Sequence, residues 1–148
     1  MFPNAKLSEV TALLGGIDPV SQAAGTVTSG WVNMANFDRL MAVVKTGVLG
    51  ASATVDAKLQ QATDSSGTGA KDITGKAVTQ IVKASGDNKQ VEINLLENEL
   101  DVANSFAFVR VSITVGTAAS LISADLYGGV PRFADASAYN AASVVQVV

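Results

Sequence analysis

Along most of the chain apolar and polar residues alternate with a period of two, the pattern of strands with one face in a core. The clearest case is residues 106–115, FAFVRVSITV, where Val109, Val111, Ile113 and Val115 fall on one side and Phe106, Phe108, Arg110, Ser112 and Thr114 on the other. After a turn at Gly116-Thr117, residues 119–127 place Ile122, Ala124 and Leu126 on one face, and the two runs are expected to pair as a hairpin. Residues 26–34, 37–46, 53–62, 73–82 and 91–95 continue the series, with apolar residues on both faces at 40–44 suggesting a central strand. The stretch TDSSGTGA at 63–70 reads as a hairpin loop, residues 84–89 as a polar turn, and ENELDVANS at 97–105 as a helical turn crossing between sheets.

The N-terminal segment differs. Leu7, Val10, Leu13 and Leu14 recur at helical spacing, Asn4 is placed to cap and Gly15-Gly16 to stop, which predicts a short amphipathic helix over residues 5–14. A helix of about ten residues is marginal alone and needs a surface to lie on. Ile17-Asp18-Pro19-Val20 then opens the first strand, proline suiting a strand start or an edge. The expected organisation is an arm of residues 1–24 followed by a sandwich domain of residues 25–148, the tail from 130 being mixed in texture. About eight strands with turns every 8 to 12 residues predict an all-β fold: one antiparallel β-sandwich, jelly-roll-like, with an N-terminal arm or short helix.

Composition narrows the chemistry. The chain of 148 residues fits one domain and can bury roughly 70% of its unfolded surface, and its alanine- and valine-rich apolar content suits thin sheet-built layers. The formal charge is -3, with ten basic residues scattered singly, so no basic stripe tracks a phosphate backbone and nucleic acid is not an expected partner. Without cysteine there is no disulfide or thiol chemistry, and without histidine the commonest general base and metal ligand are missing. The longest apolar run, residues 40–44, is too short to span a bilayer, and MFPNAKLSEV has no signal-peptide pattern, so a protein acting where it is made is expected.

Each candidate motif has a plainer reading beside it. DSSGTGAK offers backbone amides and a lysine to an anion but lacks phosphate-loop spacing and a following helix. Glu97, Glu99 and Asp101 offer oxygens to calcium without a calcium loop's glycine and closing glutamate. Asp56, Asp64, Asp72 and Glu92 supply carboxylates but no favoured pair, and no serine lies in a nucleophile elbow. Trp31 and Tyr127 are the residues that could stack on a sugar ring, against a packing role in the core. No enzyme and no cofactor are expected.

The succession IDPV (17–20), GTVTSGWVNMANFDRLMAVVKTG (25–47), ATVDAKLQQATDSSGTGAKDI (53–73), LDVANSFAFVRVSIT (100–114) and SADLYGG (123–129) resembles small structural proteins of tailed phages and prophages, in which a sandwich domain decorates or cements the head. The resemblance implies a capsid decoration protein on the outer surface of the virion, bound to the major capsid protein at capsomer junctions and stabilising the expanded shell against internal genome pressure. Docked at threefold points, it would most economically be a homotrimer. The grip is expected in the N-terminal segment, through Leu7, Val10, Leu13, Leu14, Ile17, Pro19 and Val20, by helix packing or edge-strand addition. The competing expectations are a tail or neck component and a carbohydrate-binding module on the virion surface.

Overall fold

The computed structural model describes residues 4–148, and among them ten strands form two antiparallel sheets packed face to face, a β-sandwich. The strands are β1 (Thr11–Gln22), β2 (Gly25–Thr28), β3 (Val32–Asn33), β4 (Phe37–Thr46), β5 (Thr54–Ala62), β6 (Lys71–Ala77), β7 (Ile81–Val82), β8 (Gln90–Leu96), β9 (Phe108–Gly116) and β10 (Ser120–Pro131). The first sheet has the order β1-β10-β4-β8. The second has the order β2-β9-β5-β6, with β3 beside β9 and β7 beside β5. Two of the ten, β3 and β7, are two residues long, which leaves eight longer strands, as the alternation predicts. Among the described residues two one-turn α-helices occur: α1 (Leu7–Val10), before β1, and α2 (Lys83–Gly86), which overlaps the polar turn expected at 84–89.

The core lies between the sheets. Val109, Val111, Ile113 and Val115 of β9 are 0 to 1% exposed and face Leu40, Ala42 and Val44 of β4 and Ile122, Ala124 and Leu126 of β10, with Val55, Ala57 and Leu59 beside them. Among the described residues no fully buried side-chain polar atom lacks a partner: Thr46 Oγ1 donates to the Gly86 carbonyl at 2.5 Å, Gln61 Oε1 accepts from the Asp101 amide at 2.8 Å, and Ser29 Oγ accepts from the Val111 amide at 3.1 Å. Bonded in this way they bind loops to strands without the cost of an orphaned polar group.

Two expectations are corrected. The runs at 106–115 and 119–127 do not form a hairpin: β9 pairs with β2, β3 and β5, while β10 pairs with β1 and β4 in the other sheet. Both runs carry a fully apolar face, and the connection through Thr117, at φ 71, lets those faces meet across the core instead of lying side by side. The helix expected over residues 5–14 is confined to Leu7–Val10, and from Thr11 the chain is extended. There β1 pairs with β10 along its length, Thr11 opposite Gly129 to Gln22 opposite Ser120, with irregularities after Leu13 and Ile17. A sheet ladder anchored by buried Ala12 and Ile17 outweighs a helix too short to hold itself. The irregularities shift the strand parity, which is why the leucines keep a helical spacing.

The other boundaries follow the pattern closely. The run at 26–34 breaks at Ser29 to give β2 and β3, the run at 73–82 breaks after Ala77 to give β6 and β7, and 97–105 forms two 3-10 turns, Glu97–Glu99 and Val102–Asn104, that carry the chain from β8 in one sheet to β9 in the other.

Candidate functional site: an apolar end built from both terminal segments

A second, smaller core closes one end of the sandwich. Ala12 of β1, Phe37 at the start of β4 and Ala136 are 0 to 1% exposed and pack together, with half-buried Leu14 and Tyr139 against them. Past β10 the chain turns back over this end. Arg132 donates its amide to the Asn36 carbonyl at 3.0 Å, while its guanidinium bonds Asp38 at 2.7 Å and Glu97 at 3.0 Å. Residues Ala136–Tyr139 form a 3-10 turn that sets the Tyr139 ring edge-on to Phe37, centroids 5.3 Å apart and planes at 74°. Asn140 Oδ1 then accepts from the Leu13 amide at 3.0 Å, and the Ala141 amide donates to the Leu13 carbonyl at 2.8 Å, so the tail satisfies this point of the β1 edge.

Around this closure the surface is apolar. Among the described residues the four most exposed large hydrophobic side chains are Val148 at 99%, Val145 at 93%, Phe133 at 76% and Leu7 at 75%; Leu7 and Phe133 belong to the two segments that meet here, and the two valines to the chain that continues beyond them. Helix α1 lies against the 136–139 turn, and between α1 and residues 130–135 runs a cavity of about 700 Å³ lined by Ala5, Val10, Val130, Pro131 and Ala134, with Glu9, Arg39 and Asp135 at its rim. A concentration of exposed apolar side chains of this kind marks a contact surface.

The seven residues expected as contacts are spread over β1 and its approach. Leu7 is exposed and Val10 is half-buried in the wall of the cavity. Leu13 is half-buried opposite Tyr127, Leu14 packs against both cores, and Ile17 is 7% exposed inside the main core. Pro19 and Val20 are exposed at the far end of β1, where they line a shallow cavity of about 360 Å³ with Leu121 and Lys45. Leu7 and Val10 therefore sit at one end of the strand, Pro19 and Val20 at the other. The residues 130–141, which build most of the apolar end, have no regular period, and the aromatic pair Phe133 and Tyr139 was the one signal there.

The remaining motifs are occupied by their own neighbours. The 63–70 stretch is the hairpin loop between β5 and β6; Asp64 Oδ1 accepts from the Ser66 and Thr68 amides, and Lys71 pairs with Asp101. Trp31 is half-buried: the Arg110 guanidinium lies 4.5 Å from its ring centre, and a Cβ on Gly67 would lie 2.6 Å from its indole nitrogen. Arg110 in turn bonds Gln60, and Gln60 and Lys58 bond Asp72, a polar chain along this face of the second sheet, while Tyr127 is half-buried in β10 of the other sheet. Glu97 pairs with Arg132, Glu99 with Lys76 and Asp101 with Lys71, each a charge pair; among the described residues no group of three or more carboxylates is placed to hold a metal ion.

These pairs predict an acid response. The Lys58 ammonium, then Gln60, holds the Asp72 carboxyl below its usual range; the Leu96 amide, then Lys76, does the same for Glu99, and Lys83, then the Leu49 amide, for Asp87. A carboxyl depressed in the folded state contributes stability that is present above its unfolded value of about 4 and is lost as pH falls through the depressed folded value. The thermal midpoint is therefore expected to be flat from about pH 5 to 8 and to drop below about pH 4. A midpoint that rises on acidification below that point, measured by scanning calorimetry at low salt, would contradict the assignment.

No protein-family model matches the sequence, and no curated protein does. Among solved structures, the chain is similar to one from Broad Bean Stain Virus, at 9% identity and a TM-score of 0.44, over 88% of this chain and 94% of that one. A chain of Triatoma Virus aligns at 10% identity and a TM-score of 0.46, over 92% and 73%. The CBM22-1 xylan-binding domain from Paenibacillus barcinonensis Xyn10C aligns at 10% identity and a TM-score of 0.44, over 86% and 99%. At such identities function is left to the residues.

Proposed function

We propose that the chain is a non-enzymatic contact protein of a tailed-phage particle: a decoration protein that docks on the outside of the capsid at capsomer junctions and stabilises the expanded shell. The reading rests on the order of strand patterns in the sequence, and one structural observation carries it, the exposure of Leu7 and Phe133 on the two segments that wall the apolar cavity at one end of the sandwich, α1 and residues 130–135. The partner is the major capsid protein, and the threefold position makes a homotrimer the economical assembly. A shell under outward load is weakest where capsomers meet. Interface that exists only on the expanded shell stabilises that state by mass action, in proportion to the area the apolar end buries. In this reading α1 and the 130–148 segment form the grip.

The test uses binding to empty expanded shells. Leu7→Asp with Phe133→Asp changes two side chains that are about three-quarters exposed, so folding stability is expected to stay within about 1 kcal/mol. Shell binding is expected to fall at least tenfold, and the added heat resistance of decorated shells to disappear with it. Undiminished binding would sink the reading, as would particle density for the protein along the tail or neck instead of over the head.

A further inference from the structure

The segment 131–148 closes its own sandwich through groups that any second copy presents identically. Ala136 enters the cluster of Ala12 and Phe37, Tyr139 meets the Phe37 ring edge, Asn140 and Ala141 bond the two main-chain groups of Leu13, and Arg132 bridges Asp38 and Glu97. All of these partners belong to residues 12–97, so none requires that the segment come from the same chain.

The link between the segment and the sandwich is strained. Val130 has φ 56, in the left-handed region that a β-branched side chain avoids. It is 46% exposed and lies within β10 between Gly129, paired with Arg39, and Pro131, paired with Phe37, so it is held in place by its neighbours on both sides. Extension of Val130 would relieve the strain and carry the following residues away from their own sandwich. The Phe37 and Leu13 surfaces of the first copy would then lie open.

We infer that residues 131–148 exchange between copies of this chain, with Val130 as the hinge. Each copy's Arg132, Ala136, Tyr139, Asn140 and Ala141 then occupy the neighbour's Asp38, Glu97, Phe37, Ala12 and Leu13 sites. The receiving surface fits because it already fits the same segment from its own chain, and the hinge strain present only in the closed copy favours exchange as concentration rises. Exchange needs no shell. It is an association of the isolated protein, and it stands or falls apart from capsid docking.

The hinge allows variants that push in opposite directions. Val130→Gly removes the penalty at positive φ and is expected to raise the monomer fraction at least fivefold; Val130→Pro fixes φ near −65°, denies the closed form and is expected to shift the population to oligomer. Mass by light scattering across concentration, up to millimolar, reads both. A link between chains is read by mixing Leu13→Cys protein with Ala141→Cys protein in a chain that has no cysteine of its own, then oxidising and mapping the disulfide. A disulfide joining the two variants in the oligomer supports exchange. Should Val130→Pro fail to fold, the Gly variant against the unaltered protein decides. Identical mass distributions for these two, or an oligomer in which positions 13 and 141 are never linked between chains while the double variant links within one, would overturn the inference.

Discussion

Replacing Gly16 by alanine is expected to destabilise the fold by about 3 kcal/mol or more, the upper range for forcing atoms into a filled space. Gly16 lies in β1 opposite Asp125, and a Cβ built there would sit 2.0 Å from the carbonyl oxygen of Ala124 and 3.1 Å from the Cα of Asp125. Both contacts are backbone of β10, which is held on its other side by β4, so no side-chain rotation can relieve them. Relief requires β1 to move off the sheet, and with it the anchors Ala12 and Ile17. At this chain length each kcal/mol moves the thermal midpoint by roughly 2 to 4 °C, so a fall on the order of 10 °C is expected. Gly30→Ala is the control, since nothing lies within 4 Å of a Cβ there; its effect is expected within about 0.5 kcal/mol. Urea denaturation checks both. A loss of less than about 1 kcal/mol for Gly16→Ala would mean that β1 is not seated on β10 as described.

The same strand shows where sequence pattern is informative and where it stops. The alternation in β5, β8 and β9 was legible because each keeps one parity through its middle, and the predicted inward residues Val109, Val111, Ile113 and Val115 are buried, while the two-sided apolar run at 40–44 lies in β4, a central strand between β10 and β8. β1 breaks parity twice, after Leu13 and after Ile17, so its apolar residues imitate a helical spacing. Partner identity is a different kind of information. Alternation says that Ile122, Ala124 and Leu126 share a face with a core behind it, but not which strand lies beside them, and so sequence neighbours were assigned to each other when they face one another across the core. The apolar end was least legible. Leu7, Pro19 and Val20 were read as contacts from their residue types and are exposed, whereas the closure by residues 130–141 depends on a positive φ at Val130, the opposite of that residue's preference, and on single bonds from Asn140 and Ala141 to Leu13.

Phe37→Ala is expected to have two separable effects, because Phe37 belongs to both the sandwich and its closure. Its ring is 1% exposed, packs on Ala12 and Ala136, fills the space beside Gly128, where a Cβ would lie 2.9 Å from it, and takes the edge contact with Tyr139. Truncating a buried phenylalanine costs about 3–5 kcal/mol, and the buried residues of β9 and β5 belong to a separate cluster joined to this one through half-buried Leu14, so the protein is expected to remain folded with a thermal midpoint lowered by roughly 10 °C. The second effect is local. With the ring gone, the 3-10 turn of residues 136–139 loses its apolar seat and the tail opens at a free energy well below that of global unfolding. The amides of Leu13 and Ala141, which are bonded to Asn140 Oδ1 and to the Leu13 carbonyl, should then exchange hydrogen faster than those of Val111 and Ile113 by at least a hundredfold, the latter speeding up only to the new global limit. Tyr139→Ala should reproduce the fast exchange at Leu13 and Ala141 with a smaller fall in midpoint, because Tyr139 is only half-buried. If Phe37→Ala lowers the midpoint but leaves Leu13 and Ala141 protected to the same degree as Val111, the tail is held by its polar bonds alone, and Phe37 stabilises the sandwich without governing whether its end is open or closed.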